Sequence, residues 1–262
     1  MLTTEQIEQF QADGFLNGGQ VLSDDEVETL RAEVMRVIDD RERDDVAQPV
    51  LLRNMSRDDS KAVWQIVNIW EASEPFRELM SREEITTGIA QLTGASELRI
   101  WHDQIQYKPP QTGGTTHWHQ DAPLWPIIRP MTEVTAWVAL DDADESNGCM
   151  SMVRGSHKWG NKIEYLNQLE DIQEMPTEYE GQALRVASCR VKKGEVHFHH
   201  ALTWHGSHDN NSDRPRRAIA LHYMTNETFF VASGEHVMKA FVEVDDGEQL
   251  RGEHFPQVYP KS

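Results

Sequence analysis

From Leu98 onward the chain breaks into short apolar or alternating runs: Leu98 to Lys108, Glu133 to Leu140, Gly148 to Val153, Glu195 to Phe198 and Arg217 to Met224. Clusters of Gly, Pro, Asn and Asp separate them. Runs this short, with side chains alternating between two faces, predict the strands of an antiparallel barrel or sandwich. The first part of the chain has the other period. Thr4 is expected to cap a short helix through Phe10, and Ser23-Asp24-Asp25-Glu26 opens a longer one carrying Val27, Leu30, Val34 and Val37 on one face. Asp13-Gly14-Phe15-Leu16 reads as a turn into a short strand, and Glu74 to Leu92 reads as helix. The expectation is one mainly β domain over residues 1–262. Helices within about 1–95 brace a core of about 96–225, and residues 226–262 form an extension with no predicted elements.

Lys and Arg total 25 against 44 Asp and Glu, a net charge of -19. Such a surface repels phosphate backbones and anionic lipid, which argues against nucleic acid and membrane partners and for a small-molecule substrate. The start, Met1-Leu2-Thr3-Thr4-Glu5-Gln6, has neither a basic nor an apolar leader region, and no run approaches membrane-spanning length, so a cytoplasmic protein is expected. Cys149 and Cys189 have no metal-binding spacing and are expected as reduced, buried thiols. Nothing in the sequence bears on oligomeric state.

The chemistry concentrates in Thr116-His117-Trp118-His119-Gln120-Asp121. Residues two apart on a strand share a face, so His119 and Asp121 can grip one metal ion. A third ligand is available from the later segment Glu195-Val196-His197-Phe198-His199-His200-Ala201-Leu202-Thr203-Trp204-His205-Gly206-Ser207-His208. Two imidazoles and one carboxylate on one side of an iron leave the other side open, the arrangement of non-haem Fe(II) oxygenases. A lone His-x-Asp arises by chance in many chains. Here it lies between the turn Thr112-Gly113-Gly114 and Pro123, as a short strand ending at a cavity mouth would. His117 shares the face, so a cupin-like isomerase or thiol dioxygenase using His117, His119 and His205 stays open, as does a non-catalytic metal-containing binding protein. Beyond His205, the turn-rich Asp209-Asn210-Asn211-Ser212-Asp213 leads to Arg216 at the head of the next strand. A hairpin there brings a planar guanidinium beside the metal, suited to anchor the carboxylate of an oxoacid cosubstrate.

These pieces, in order, are His119-Gln120-Asp121, Asn147-Gly148-Cys149-Met150, Arg154-Gly155-Ser156-His157-Lys158, Gly194-Glu195-Val196, His205-Gly206-Ser207 and Arg216. Together they resemble the phytanoyl-CoA dioxygenase family of Fe(II)- and 2-oxoglutarate-dependent oxygenases across roughly residues 98 to 225. The resemblance implies a double-stranded β-helix, or jelly-roll, core. It implies Fe(II) held by His119, Asp121 and His205, with 2-oxoglutarate held by Arg216 and Ser207, and dioxygen as the second cosubstrate. Asp121 stands where related halogenases have a small residue, which argues against halogenation. Arg154 stands where the family's Pro-Gly-Ser-His pattern has proline, a change expected to alter a turn.

His102, Gln104, Gln106 and Lys108 share one strand face and Trp101, Asp103, Ile105 and Tyr107 the other. The polar face is expected to line the cavity, with Gln106 on the cosubstrate and His102 and Gln104 on the substrate. Trp125 resembles the aromatic that walls the substrate pocket in relatives. The expected reaction is hydroxylation of an unactivated C–H bond with release of succinate and carbon dioxide. The substrate, a small organic or acyl-CoA molecule, is expected to enter a basic mouth near Arg129, Arg154 and Lys158. His157 is expected to be structural, His222 a core histidine, and His236 and His254 surface residues.

Overall fold

A computed structural model describes all residues except 57–61, 112–113, 170–171, 173–174 and 261–262. The N-terminal part runs α1 (Thr4–Asp13), β1 (Phe15–Gln20), α2 (Asp24–Asp39), β2 (Leu51–Asn54), β3 (Trp64–Val67), α3 (Glu74–Met80) and α4 (Glu83–Thr93). There follow β4 (Leu98–Lys108), β5 (Thr116–His119), β6 (Ile128–Arg129), β7 (Val134–Ala139), β8 (Met150–Val153) and the short α5 (Ile163–Leu166). The small pair β9 (Glu178–Tyr179) and β10 (Gln182–Ala183) precedes β11 (Val186–Cys189), β12 (Glu195–His200), β13 (His205–Ser207) and β14 (Arg216–Thr225). β15 (Phe229–Phe230) and β16 (Gln257–Tyr259) close the chain.

The first helix is capped one residue earlier than expected. Thr3, extended, accepts from the Gln6 backbone N–H, while the Gln6 side chain accepts from the Thr3 N–H. Ser23 and Glu26 form the same reciprocal pair at α2, as read from the sequence. Burial of Val27, Leu30, Val34 and Val37 on α2 contributes about 1.5–3 kcal/mol each. The cap contributes about 1 kcal/mol, so packing decides where this helix lies. The stretch expected as one helix from Glu74 divides at Ser81 and extended Arg82. The break lets Phe76 and Leu79 on one piece, and Ile85 and Ile89 on the other, join the same core.

Two sheets make the double-stranded β-helix. The larger has the order β1-β12-β7-β14-β4-β3-β2, with β16 also on β4; the smaller is β11-β8-β13-β5. The N-terminal region is therefore more than a brace, because β1, β2 and β3 are members of the large sheet. Ile219, Leu221 and Tyr223 of β14 and Val134, Ala136 and Val138 of β7 pack with the helices in one cluster. The alternate residues Ala218, Ala220 and His222 of β14, Trp137 of β7, and His102, Gln104 and Gln106 of β4 line a cavity. Alternation fails within β4. A register shift where His222 pairs with His102 and Tyr223 with Ile100 leaves Trp101 as the extra residue. Trp101 thus packs against Trp125, His236 and Phe255, where the face pattern had set it apart. The C-terminal extension closes that cluster with Met238, Leu250 and Phe255, so the region without predicted elements supplies one wall of the site's surroundings. Cys149 and Cys189 are free and buried. Among the described residues no helix is long and apolar enough to cross a membrane.

Candidate metal centre and its cavity

His119 ends β5 and His205 begins β13, and the two are register partners across the small sheet. Asp121 is not on the strand. It adopts helical backbone angles at the head of the 3-10 turn Ala122–Leu124, so a turn, not strand alternation, carries its carboxylate back to the histidines. His119 Nε2 and His205 Nε2 lie 3.6 and 3.5 Å from Asp121 Oδ1. Ligand atoms of the three residues all fall within 4.8 Å of one another.

The imidazoles are held in the tautomer a metal needs. His119 Nδ1 donates to the His117 carbonyl at 2.8 Å and His205 Nδ1 to the Thr203 carbonyl at 2.9 Å, which turns both Nε2 atoms toward Asp121. Asp121 Oδ2 accepts from His199 Nε2 at 3.1 Å and from the Thr135 hydroxyl at 3.3 Å. Burial works against ionisation of Asp121, but the ring of His205, His119 and His199 outweighs it and holds the carboxyl well below its usual range. Burial and the neighbouring His119 push His205 well down, which keeps it neutral. Burial works against a charged His119, but the hydrogen bond and charge of Asp121 outweigh it and raise its pKa, so a metal ion taking this two-histidine, one-carboxylate donor set would displace a proton from His119.

The cavity beside the triad has a volume of about 350 Å³ and includes Ser207, Arg216, Gln106, Gln104, His102, Trp125 and Trp137 in its lining. Arg216 is 1% exposed, and its Nε and Nη2 have no hydrogen-bond partner among the described residues. A buried guanidinium with idle donors fits an absent carboxylate. Next to it on β4 is Lys108, also buried, donating from Nζ to Ser207 Oγ at 2.7 Å and to the His208 carbonyl at 2.8 Å. Burial and then the Arg216 charge lower the Lys108 ammonium to about 6; burial lowers Arg216 to about 10.

Other histidines separate from the site. His117 is exposed and outside the three-residue cluster, contributing its carbonyl rather than its ring. His197 is buried against Phe15, and His200 accepts from the Leu202 N–H. His222, expected in the core, lines the cavity, and its Nδ1 lies 2.8 Å from Thr135 Oγ1. His236, expected at the surface, is half-buried and stacks on His102. His254 is also half-buried and pairs with Glu71. The basic mouth is not where it was expected. Arg129 donates to the Trp125 and Ile128 carbonyls, Arg154 is ion-paired with Asp13 over the Phe15 ring, and none of Arg129, Arg154 and Lys158 is among the cavity's lining residues. Of the expected Gly-rich turn, Thr112 and Gly113 lie outside the described residues.

Sequence reasoning puts Lys108 on the polar face of β4 and His199 in the segment that could supply a third ligand without giving either its observed contact, and it does not single out Thr135. Lys108 carried a signal, sharing the polar face of β4, but a lysine at a strand end ordinarily reads as solvated. Thr135 and His199 become visible only through pairing of β7 with β14 and β12.

The family model for phytanoyl-CoA dioxygenase matches residues 10–218. The peroxisomal phytanoyl-CoA dioxygenase of Mus musculus is 28% identical over 263 residues, covering 93% of this chain and 76% of that protein. An ectoine dioxygenase of Bordetella parapertussis is 25% identical over 252 residues, covering 86% and 76%. Among solved structures, the non-haem α-ketoglutarate-dependent carbocyclase SnoK from nogalamycin biosynthesis superimposes with a TM-score of 0.78 at 26% identity, covering 98% of this chain and 96% of that one. The chain belongs to the phytanoyl-CoA dioxygenase family, and it is a non-haem iron, 2-oxoglutarate-dependent oxygenase.

Proposed function

We propose that this oxygenase hydroxylates an unactivated C–H bond of a small organic molecule, with 2-oxoglutarate and dioxygen converted to succinate, carbon dioxide and the new hydroxyl. One observation carries the reading. The His119, Asp121 and His205 cluster and the unpartnered, buried Arg216 belong to a single cavity, and a structural metal has no use for a carboxylate anchor.

Iron bound by His119, Asp121 and His205 supplies, together with the oxoacid and dioxygen, the oxidising chemistry. The side chains do the rest. Arg216 and Ser207 hold the distal carboxylate, with Lys108 fixing the Ser207 hydroxyl. Gln106 orients the other carboxylate from the same strand face. Thr135 and His199 keep the second oxygen of Asp121 engaged, so only Oδ1 is free to turn toward the metal. His102, Gln104 and Trp125 face the substrate, and the surrounding Trp101, Trp125 and Phe255 cluster excludes water.

The cupin-like alternative needs the His117 ring, which is exposed and apart from the cluster. The test is succinate release from 2-oxoglutarate with Fe(II) and dioxygen. Asp121→Ala should lower it at least a hundredfold, and His117→Ala should leave it within about twofold of wild type. Loss with His117→Ala and retention with Asp121→Ala would transfer the chain to the three-histidine reading.

A further inference from the structure

The large sheet divides the cavity by chemistry along one strand pair. At one end of β4 and β14 Arg216 lines the cavity beside its register partner Lys108, which is not among the lining residues; then come Gln106 opposite Ala218 and Gln104 opposite Ala220; at the other end His102 stands opposite His222. His222 lies six positions beyond Arg216, about 20 Å of extended chain. An oxoacid anchored at the cationic end therefore leaves the histidine end free. The two alanines leave the floor between them open.

The histidine end lies on the metal side. His222 Nδ1 bonds the Thr135 hydroxyl, which in turn bonds Asp121. The Trp125 ring stands 4.7 Å from His222 and 5.6 Å from His102, and the two imidazoles are 4.7 Å apart. Three rings thus enclose one corner.

The hydrogen-bonding sense of that corner follows from its fixed partners. The Asp103 carbonyl can only accept, so His102 Nδ1 donates to it, at 3.2 Å, and Nε2 keeps its lone pair. That Nε2 is buried and has no partner among the described residues. The Thr135 hydroxyl donates to Asp121, so it accepts from His222 Nδ1, and His222 Nε2 likewise keeps a lone pair. Gln104 gives its carbonyl oxygen to the Gln65 amide at 2.9 Å, which leaves its own N–H groups as donors. The corner therefore offers two hydrogen-bond acceptors and an amide donor beside an indole face. Apart from the triad and Arg216, the described residues lining the cavity include no Lys, Arg, Asp or Glu.

We infer that His102, His222, Gln104 and Trp125 form the substrate subsite, and that it selects an uncharged, ring-containing molecule bearing hydroxyl groups, one of which donates to His102 Nε2. A phosphate-rich thioester or a zwitterion finds no counter-charge there. The inference rests on the oxygenase reading and adds the substrate class to it.

The test is anaerobic calorimetry on the protein loaded with Fe(II) and 2-oxoglutarate, with the visible absorbance of the iron-oxoacid complex followed in parallel. The probes are three neutral aromatic glycosides (salicin, arbutin and phlorizin), octanoyl-CoA, and zwitterionic ectoine. At least one glycoside should bind and perturb the visible band, while octanoyl-CoA and ectoine should neither bind nor compete. His102→Leu should weaken that glycoside about tenfold, the loss of one buried hydrogen bond, and leave 2-oxoglutarate affinity unchanged. His102→Gln, which keeps an acceptor, should recover most of it, and Trp125→Ala should weaken it independently of any effect on folding at His102. Binding of octanoyl-CoA or ectoine in preference to all three glycosides overturns the inference. So does absence of glycoside binding, or glycoside affinity indifferent to both His102→Leu and Trp125→Ala. An iron-oxoacid band present with no glycoside binding sinks the substrate class alone; absence of the band sinks the oxygenase reading with it.

Discussion

Lys108 and Arg216 are register partners across β4 and β14, two buried basic side chains side by side, and Lys108 donates to the Ser207 hydroxyl and the His208 carbonyl. Burial and the Arg216 charge bring Lys108 to about 6, so at pH 7 it is mostly neutral. A dicarboxylate bound at this end restores the charge balance and raises the Lys108 pKa, so 2-oxoglutarate binding at pH 7 should take up a fraction of a proton. Calorimetry in two buffers of different ionisation heat measures it. Lys108→Met should abolish the uptake and weaken 2-oxoglutarate roughly tenfold. Identical uptake in the variant would remove Lys108 from the account.

Arg216→Lys should behave as a loss, not as a conservative change. A lysine keeps the charge but not the planar fork, and at a buried bidentate site that difference corresponds to about 1.5–3 kcal/mol, or roughly a tenfold to hundredfold rise in the 2-oxoglutarate Kd. Iron affinity, measured separately, should stay unchanged.

Thr135→Val removes the hydroxyl shared by Asp121 and His222 while keeping the shape of the side chain. Thr135 acts through Asp121, so the expected effect is a roughly tenfold loss in Fe(II) affinity with little change in melting temperature. Thr135→Ser should restore the metal affinity. A fall in stability with metal affinity intact would assign Thr135 to packing alone.

Glu133 provides a pH signature of the fold. It is 1% exposed, both carboxyl oxygens lack hydrogen-bond partners among the described residues, and burial raises its pKa from 4.5 to about 8. Between those values the unfolded chain holds fewer protons than the folded one, so this group's contribution to stability falls as pH rises from 4.5 to 8. The loss is on the order of a few kcal/mol. Denaturant melts should therefore show Glu133→Gln gaining on wild type from pH 5 to pH 8; a difference independent of pH would contradict the assignment.

Gly148 precedes β8 with φ at +83°, and a Cβ there would sit 2.4 Å from the His208 carbonyl oxygen. The carbonyl belongs to the backbone and also accepts from Lys108, so it cannot move cheaply. Gly148→Ala should cost about 2 kcal/mol or more, a drop in Tm on the order of 5 °C, and should loosen 2-oxoglutarate binding through Lys108.

Much of this was legible in the sequence because the features are local or periodic. The alternation of β4 put His102, Gln104 and Gln106 on the cavity face, and the Ser23 box marked the start of α2. What escaped depends on the third dimension. Asp121 reaches the metal site through a turn that strand spacing mimics by coincidence. Trp101 changes face at a bulge that no period announces. Among the described residues, 226–260 form only two- and three-residue strands and a 3-10 turn, too short for a pattern, yet Met238, Leu250 and Phe255 are fully buried. The basic mouth failed because charge counting cannot tell a free arginine from Arg154, already paired with Asp13.

The central claim is that His119, Asp121 and His205 hold iron while Arg216 anchors 2-oxoglutarate on it. Anaerobic titration of the purified protein with Fe(II) and then 2-oxoglutarate, followed by the visible metal-to-ligand charge-transfer band of the chelated oxoacid, tests it most directly. A saturable band in wild type, the same band in Arg216→Ala only at far higher 2-oxoglutarate, and none in Asp121→Ala is the predicted result. Iron that binds without producing a band, or a band indifferent to Arg216, contradicts it.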